Sequence, residues 1–246
     1  MYTHYVALGD SMSSDHYPTC DARDLDAPPS RLDPLGAAAL LHRNADGRWP
    51  EFVGRDLASR SPAGVTFRNL TEDGALIDDV ATEELARLGR DSPDPRILVT
   101  VTAGGNDLLD ALLAGVPLRP AVARIIRRYT ELIDSLREEL PRAAFLLTTV
   151  YDPTDETGHL PGLSESFGPL PLEYLHEFNG HVRDTASRTS AAALADVHRH
   201  FLGHGAASPE SERWYWHRNL IEPNARGASE IRRVWWEALD RLSEDQ

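Results

Sequence analysis

Residues 5–13 read Tyr-Val-Ala-Leu-Gly-Asp-Ser-Met-Ser, a short apolar run that gives way to glycine and polar residues. A short apolar run bounded by turn residues predicts a buried β-strand. Glycine, aspartate and serine favour turns and helix N-caps, so this strand is expected to end at Gly9. The Ser11 hydroxyl would then lie at the carboxyl edge of a sheet.

Four more apolar runs follow along the chain, and helical patterns separate them. The further strands are predicted at 65–70, 97–101, 145–150 and 192–197, and the helices at 52–59, 78–88, 122–140, 172–187 and 228–242. Between 122 and 140 the apolar residues recur every three or four positions, which is typical of an amphipathic helix. Strands that alternate with helices predict right-handed crossovers and a mostly parallel sheet covered on both faces.

The length of 246 residues is compatible with one α/β domain spanning 1–246. No linker of distinct composition divides the chain, and the proline-containing stretches at 27–30 and 153–171 predict loops within that domain. In a parallel sheet, ligands bind at the carboxyl ends of the strands. Residues that follow each strand are therefore the first candidates for a functional site.

The basic residues number 25, and every one of them is arginine. Without lysine, the chain cannot form a Schiff base or a PLP aldimine, nor a P-loop of the Gly-Lys-Ser/Thr type. The net charge of −14 argues against a nucleic-acid partner, because an acidic surface repels phosphate. A single cysteine, Cys20, excludes an internal disulfide and a cysteine-based zinc site.

The first residues carry neither a basic segment nor a long apolar one, as a secretory signal would. No apolar stretch approaches the ~18 residues that a membrane span needs. These features predict a cytoplasmic protein with no membrane span.

Polar clusters follow the second and third predicted strands. Residues 69–75 read Asn-Leu-Thr-Glu-Asp-Gly-Ala, and residues 102–107 read Thr-Ala-Gly-Gly-Asn-Asp. Backbone N–H groups freed by glycine, and an asparagine amide that donates without charge, are what an oxyanion hole requires. The residues of each cluster are also common in ordinary turns. Together with the Gly-Asp-Ser segment after the first strand, however, three such clusters at three strand ends favour a functional site.

These clusters and a segment near the end of the chain resemble the blocks of the SGNH (GDSL-type) hydrolase superfamily, in the same order. The matching segments are 9–11 (Gly-Asp-Ser), Gly74, 104–107 (Gly-Gly-Asn-Asp) and 221–227 (Ile-Glu-Pro-Asn-Ala-Arg-Gly). The resemblance implies a flavodoxin-like α/β/α sandwich with a five-stranded parallel sheet, and ester hydrolysis. By the same resemblance Ser11 is the nucleophile, and the N–H groups of Ser11 and Gly74 with the Asn106 amide form the oxyanion hole.

The last block departs from the family pattern, which reads Asp-x-x-His-Pro-Asn with the histidine as general base. Here Asn219 stands at the aspartate position and Glu222 at the histidine position. A carboxylate with a reference pKa of ~4.3 is a weak base toward a serine, but burial among apolar groups can raise that pKa. The competing interpretation is that Glu222 caps a helix beginning near Pro223.

Two histidines are alternative bases. His217 precedes Glu222 by five residues, and His204 lies in a glycine-flanked loop after the fifth predicted strand. If either histidine serves as base, Glu222 takes the orienting role of the family's aspartate. Both are also ordinary candidates for surface histidines, and we rank His217 and Glu222 ahead of His204.

Other residues are candidates for contact with substrate. Asp15 follows the nucleophile closely, Tyr151 follows the fourth strand, and Trp214 can stack on a sugar or an acyl chain. Asp196, His198 and His200 alternate as some metal ligands do, but alternation at a strand end explains them more simply, so we predict no metal and no cofactor.

Together these features predict a serine esterase or lipase that cleaves a small-molecule carboxylic ester through an acyl-enzyme on Ser11. The alternative is a catalytically impaired relative that binds an acyl or carbohydrate ligand without turnover. Neither the acyl chain length nor the oligomeric state follows from the sequence.

Overall fold

The computed structural model describes residues 2–24, 34–61, 63–88 and 96–244. The predicted loop at 27–30 lies outside these ranges, and the predicted loop region 153–171 contains only one short helix. Within the described part of the chain, no helix has the length and apolarity that crossing a membrane requires.

The centre of the fold is a five-stranded sheet in which every neighbouring pair is parallel, in the order β2-β1-β3-β4-β5. The strands are β1 (His4–Gly9), β2 (Thr66–Asn69), β3 (Ile97–Thr102), β4 (Ala144–Thr148) and β5 (Ala192–Ala195). All five match predicted apolar runs, and the α/β/α fold class is confirmed.

Helices lie on both faces of this sheet. They are α1 (His16–Asp24), α2 (Ala37–His42), α3 (Leu57–Arg60), α4 (Ile77–Asp79), α5 (Leu85–Arg87), α6 (Gly105–Leu113), α7 (Leu118–Glu139), α8 (Ser164–Phe167), α9 (Leu172–Arg188), α10 (Val197–Phe201) and α11 (Ala225–Glu244). The amphipathic pattern in 122–140 is confirmed by α7, whose apolar stripe is buried with α9 against one face. The apolar residues of α2 and α11 pack against the other face.

Two helical predictions differ from the structure. The segment 52–59 is not one helix, because Gly54 adopts φ +76° and separates a 3₁₀ turn (Pro50–Phe52) from α3. The segment 78–88 is helical but contains a π-helical turn, Val80–Glu84, between α4 and α5. This wider turn carries Glu84 inward, where its Oε2 accepts a hydrogen bond of 2.7 Å from the backbone N–H of Gly9.

Gly9 is the point at which β1 must end. Its φ is +123°, and a Cβ built there would lie 1.8 Å from the carbonyl oxygen of Thr102 on β3. Only glycine tolerates both the backbone angle and this close approach. The end of β1 is therefore fixed against the end of β3, and the residues after both strands meet at one edge.

We expect Gly9→Ala to lower the free energy of unfolding by about 3 kcal/mol or more, because backbone strain and a clash with Thr102 combine. Gly115→Ala is the matched control, since Gly115 also has positive φ (+64°) but no heavy atom within 4 Å of an added Cβ. The control should lose only about 1–2 kcal/mol. Urea denaturation measures both, and equal losses would contradict the packing argument.

Candidate active site

A cavity of about 160 Å³ opens at the carboxyl edge of the sheet, next to the end of β1. Its wall is mainly apolar and includes Leu109 and Leu112 of α6, Leu118 of α7, Leu160 and Leu170 from the segment before α9, and Leu175 of α9. Its polar lining includes Asp10, Ser11, Asn106, Asp152 and Glu222. A mostly apolar pocket with a few converging polar groups is typical of a small-molecule site.

Ser11 lies in the tight turn that follows β1, and its residue is only 6% exposed. The preceding residue, Asp10, donates its backbone N–H to the Thr102 carbonyl oxygen at 3.1 Å. The Asp10 carboxylate in turn accepts the N–H of Met12 at 3.1 Å. Hydrogen bonds on both sides of Ser11 therefore hold it at the cavity wall.

Two backbone N–H groups near this turn are available to a ligand. Neither Ser11 nor Gly74 donates its N–H to any residue in the described ranges. Asn106 at the start of α6 lines the cavity and directs one amide hydrogen to the Ala75 carbonyl oxygen at 3.0 Å, which fixes the side chain. Its second amide hydrogen has no such partner among the described residues.

Gly74 does not itself line the cavity but lies in a turn beside it, with φ +80°. The neighbouring Asp73 carboxylate accepts a hydrogen bond from the Ser14 hydroxyl at 2.5 Å. This contact ties the turn to the loop that carries Ser11. Of the three predicted oxyanion donors, the structure places Ser11 and Asn106 at the cavity and Gly74 next to it.

Glu222 also lines the cavity. It is 7% exposed, and its Oε2 is buried without a hydrogen-bond partner among the described residues. The pKa of this carboxyl is raised to about 7, mainly by burial and to a lesser extent by the negative charges of Asp10 and Asp73. The nearby Ser11 side chain acts in the opposite direction and lowers the pKa, and both residues line the same cavity.

The profile of the GDSL-like Lipase/Acylhydrolase family matches residues 7–229, which is most of the chain. The chain belongs to this family. It is therefore a hydrolase that acts on ester bonds.

Several solved structures share the fold of this GDSL-like hydrolase. An extracellular lipase from Streptomyces rimosus is 21% identical, with TM-score 0.57 over 96% of this chain and 99% of that one. Phospholipase A1 from Streptomyces albidoflavus NA297 is 17% identical, with TM-score 0.54 over 98% and 100%. The acetylxylan esterase Axe2 from Geobacillus stearothermophilus is 16% identical, with TM-score 0.57 over 96% and 94%. Among curated proteins, no match is found.

A β-hairpin that the sequence did not predict positions Glu222. Its strands are β6 (Tyr215–Trp216) and β7 (Asn219–Pro223), and they pair antiparallel outside the main sheet. The Tyr151 hydroxyl donates to the carbonyl oxygen of Ile221 at 2.8 Å and anchors β7 at the cavity. The predicted Tyr151 therefore lines the cavity and also holds the strand that carries Glu222.

Glu222 does not cap α11, as the competing interpretation required. Asn224 fills that position, because its Oδ1 accepts the backbone N–H of Gly227 at 2.8 Å. Glu222 lies two residues earlier, on β7, with its side chain at the cavity.

The alternative histidines lie outside the cavity. His217 is exposed in the turn of the hairpin, with its ring 6.2 Å from that of Trp216. His204 stacks on Trp214 at a centroid distance of 3.7 Å, and its Nδ1 is 2.8 Å from the Glu212 carbonyl oxygen. No histidine is among the described residues that line the cavity.

Two predicted substrate contacts also lie elsewhere. Asp15 accepts the backbone N–H of Gly36 at 2.7 Å and so supports the start of α2. Trp214 is 5% exposed and packs in the core below α11. Neither side chain lines the cavity, so the structure offers no support for a substrate contact by Asp15 or Trp214.

Asp196, His198 and His200, which alternate after β5, contact different partners. Asp196 pairs with Arg183 through two hydrogen bonds of 3.0 Å, and His200 lies 2.8 Å from Glu230. His198 points to a different set of residues, described below. The three do not form a common site.

Two features at or near the site were not predicted from the sequence. Glu84 is only 1% exposed, and burial raises its pKa to about 8 while it accepts the Gly9 N–H. The spacing of apolar residues in this helix does not predict that Glu84 points inward, because that orientation depends on the π-helical turn. Leu160 and Leu170 of the apolar wall lie in the segment predicted only as loop, and Leu175 lies in the predicted helix 172–187, so the sequence did not indicate that these leucines share a wall.

The raised pKa of Glu222 predicts a pH-dependent stability. The carboxyl is protonated more readily in the folded state (about 7) than in the unfolded chain (4.5), so stability decreases as pH rises through this interval. We expect Glu222→Gln to raise the free energy of unfolding at pH 8 by about 1–3 kcal/mol, and to change it little at pH 4.

Urea denaturation at the two pH values measures this difference. Glu237→Gln is the control, since Glu237 is exposed on α11 and should show no such pH dependence. A change that is the same at pH 4 and pH 8 would contradict a buried ionised carboxyl.

Proposed function

We propose that this protein is a serine esterase that forms an acyl-enzyme on Ser11 and uses Glu222 as its general base. The observation that carries the proposal is that Glu222, a buried carboxyl whose pKa is raised to about 7, lines the same apolar cavity as Ser11. A base works best when its pKa lies near the operating pH. Burial thus gives the glutamate the basicity that the family's histidine has without perturbation.

The first half of the reaction acylates Ser11. The Glu222 carboxylate accepts the hydroxyl proton as Oγ attacks the ester carbonyl carbon, and the carbonyl π electrons move to oxygen. The backbone N–H groups of Ser11 and Gly74 and the free amide hydrogen of Asn106 donate to this oxyanion. When the tetrahedral intermediate collapses, the ester C–O bond breaks and Glu222 returns the proton to the leaving alcohol.

The second half releases the acid. Water replaces the alcohol, Glu222 accepts one of its protons, and the hydroxide attacks the acyl carbon. Collapse of this second intermediate breaks the bond to Ser11 Oγ, which takes the proton back from Glu222. The enzyme returns to its starting state with no external reactant beyond water.

Asn219 fits this assignment. In the family pattern an aspartate orients the catalytic histidine and stabilises its positive charge. A glutamate base becomes neutral when it accepts a proton, so it needs no such anion. An aspartate at 219 would also add a negative charge to the hairpin that carries Glu222. The negative charges of Asp10 and Asp73, outside the hairpin, already raise the pKa of Glu222.

Labelling with a fluorophosphonate and hydrolysis of p-nitrophenyl esters test the proposal together. We expect stoichiometric labelling that is lost in Ser11→Ala, and ester hydrolysis that is lost with it. If Ser11 is not labelled and no short ester is hydrolysed, the protein is instead a ligand-binding relative without turnover.

The base assignment predicts the pH profile. For the wild type, kcat/KM should fall as pH decreases, with half of the maximum near pH 7, because only the carboxylate accepts a proton. Glu222→Gln should lower kcat/KM by about 10²–10⁴-fold. His217→Ala and His204→Ala are the controls, and a comparable loss in either would transfer the role of base to that histidine.

The leucine-rich wall supports a preference for esters with apolar acyl chains. Each CH₂ buried contributes about 0.8 kcal/mol, so kcat/KM should rise about fourfold per CH₂ until the cavity is filled.

Leu112→Gln keeps the size of the side chain and makes the wall polar, so it should lower kcat/KM for p-nitrophenyl octanoate by about tenfold while acetate hydrolysis changes by less than about twofold. Leu113→Gln is the matched control, because Leu113 follows on the same helix, is 45% exposed and does not line the cavity. Equal losses for acetate and octanoate would place the acyl chain elsewhere.

A further inference from the structure

Three potential ligand side chains converge outside the cavity, and none of them is part of its lining. Glu156 comes from the loop after β4, His176 from the first turns of α9, and His198 from α10. One ligand atom from each lies within 4.8 Å of those of the other two. Successive members of the cluster are about twenty residues apart in the sequence, so no short sequence motif predicts it.

His198 is the buried member of this cluster. Its side chain is 7% exposed, and its Nε2 has no hydrogen-bond partner among the described residues. That nitrogen points to Glu156 Oε1 but lies 3.7 Å away, beyond hydrogen-bond distance. A buried ring nitrogen without a partner costs free energy, unless a further group satisfies it.

Ion pairing alone does not explain the arrangement. His176 Nε2 is 3.1 Å from Glu156 Oε2, so these two side chains can form an ordinary surface pair. This pair uses one carboxylate oxygen and leaves the His198 nitrogen without a partner among the described residues. A cation bound between the second carboxylate oxygen and this nitrogen would satisfy it.

The distances fit a tetrahedral ion. Ligand atoms 2.0–2.1 Å from a tetrahedral metal are about 3.4 Å from one another. The two N···O distances are 3.1 Å from His176 to Glu156 Oε2 and 3.7 Å from His198 to Glu156 Oε1, so each imidazole lies near this spacing from one oxygen of the shared carboxylate. One ligand atom from each residue lies within 4.8 Å of the other two, so binding one ion would draw the three side chains closer together.

We propose that Glu156, His176 and His198 form a binding site for a divalent transition metal of the zinc class. Two imidazole nitrogens with one carboxylate oxygen suit Zn²⁺, whereas Ca²⁺ and Mg²⁺ require more oxygen ligands. Glu156 and His176 are each 44% exposed, which leaves a route for the ion and room for water as fourth ligand.

Such an ion would link two parts of the cavity wall. The Glu156 backbone adopts φ +65° and donates its N–H to Asp152 Oδ2 at 2.8 Å, and Asp152 lines the cavity. His176 directly follows Leu175, another lining residue. The metal would therefore join the loop after β4 to the start of α9 and hold the two sides of the acyl pocket together.

Titration of the untagged, metal-free full chain with ZnCl₂ by calorimetry tests the site. We expect one Zn²⁺ per chain, and a Tm raised by roughly 5–10 °C when free Zn²⁺ exceeds Kd about a hundredfold. Co²⁺ in place of Zn²⁺ should give the visible absorption of a tetrahedral nitrogen- and oxygen-ligated ion.

His176→Ala and Glu156→Gln change exposed side chains and should leave the fold intact, yet each should weaken zinc binding by at least about tenfold. His198→Ala should do the same, and should also remove the cobalt absorption. His159→Ala is the matched control, because His159 is exposed in the same loop and outside the cluster. This control should bind zinc like the wild type.

The proposal is overturned if the wild type shows no zinc-dependent rise in Tm, or if the three variants bind zinc as tightly as the wild type does. Both readouts are independent of ester hydrolysis, so failure of the esterase proposal leaves them unaffected.

Discussion

The contact between Gly9 and the carbonyl oxygen of Thr102 determines where Ser11, the proposed nucleophile, can lie. Because β1 can approach β3 this closely only at a glycine, the chain turns there, and Asp10 takes up the next hydrogen bond to Thr102. Glu84 closes the same turn from the other face by accepting the Gly9 N–H. The loop that carries Ser11 is thus held in place by backbone groups of β1 and β3 and by the buried carboxyl of Glu84.

Buried acids collect at this edge of the sheet. Burial raises the pKa values of Asp10 and Asp107 to about 6, of Glu222 to about 7 and of Glu84 to about 8. None of these carboxyls forms an ion pair in the described structure, so each is costly to ionise. In the proposed mechanism, this cost is what gives Glu222 a basicity close to that of a histidine.

The sheet and the position of Ser11 at its edge could be predicted because apolar runs and turn residues are local signals. Glu222 could be named from its position in the last block, and the apolar residues around it suggested a raised pKa. Local signals did not reveal the hairpin that carries Glu222, since its strands are short and lie outside the main sheet. They also did not reveal Glu84, which depends on a π-helical turn, or the pairing of His176 and His198 with Glu156, which depends on tertiary packing.

The leucine wall comes largely from α6, from the segment between β4 and α9 and from the first turn of α9, whereas Ser11 follows β1 and Glu222 lies on β7. The segments that form most of the apolar wall are therefore separate in the sequence from those that carry the proposed nucleophile and base. Insertions or substitutions between 158 and 175 can reshape the pocket without moving Ser11 or Glu222.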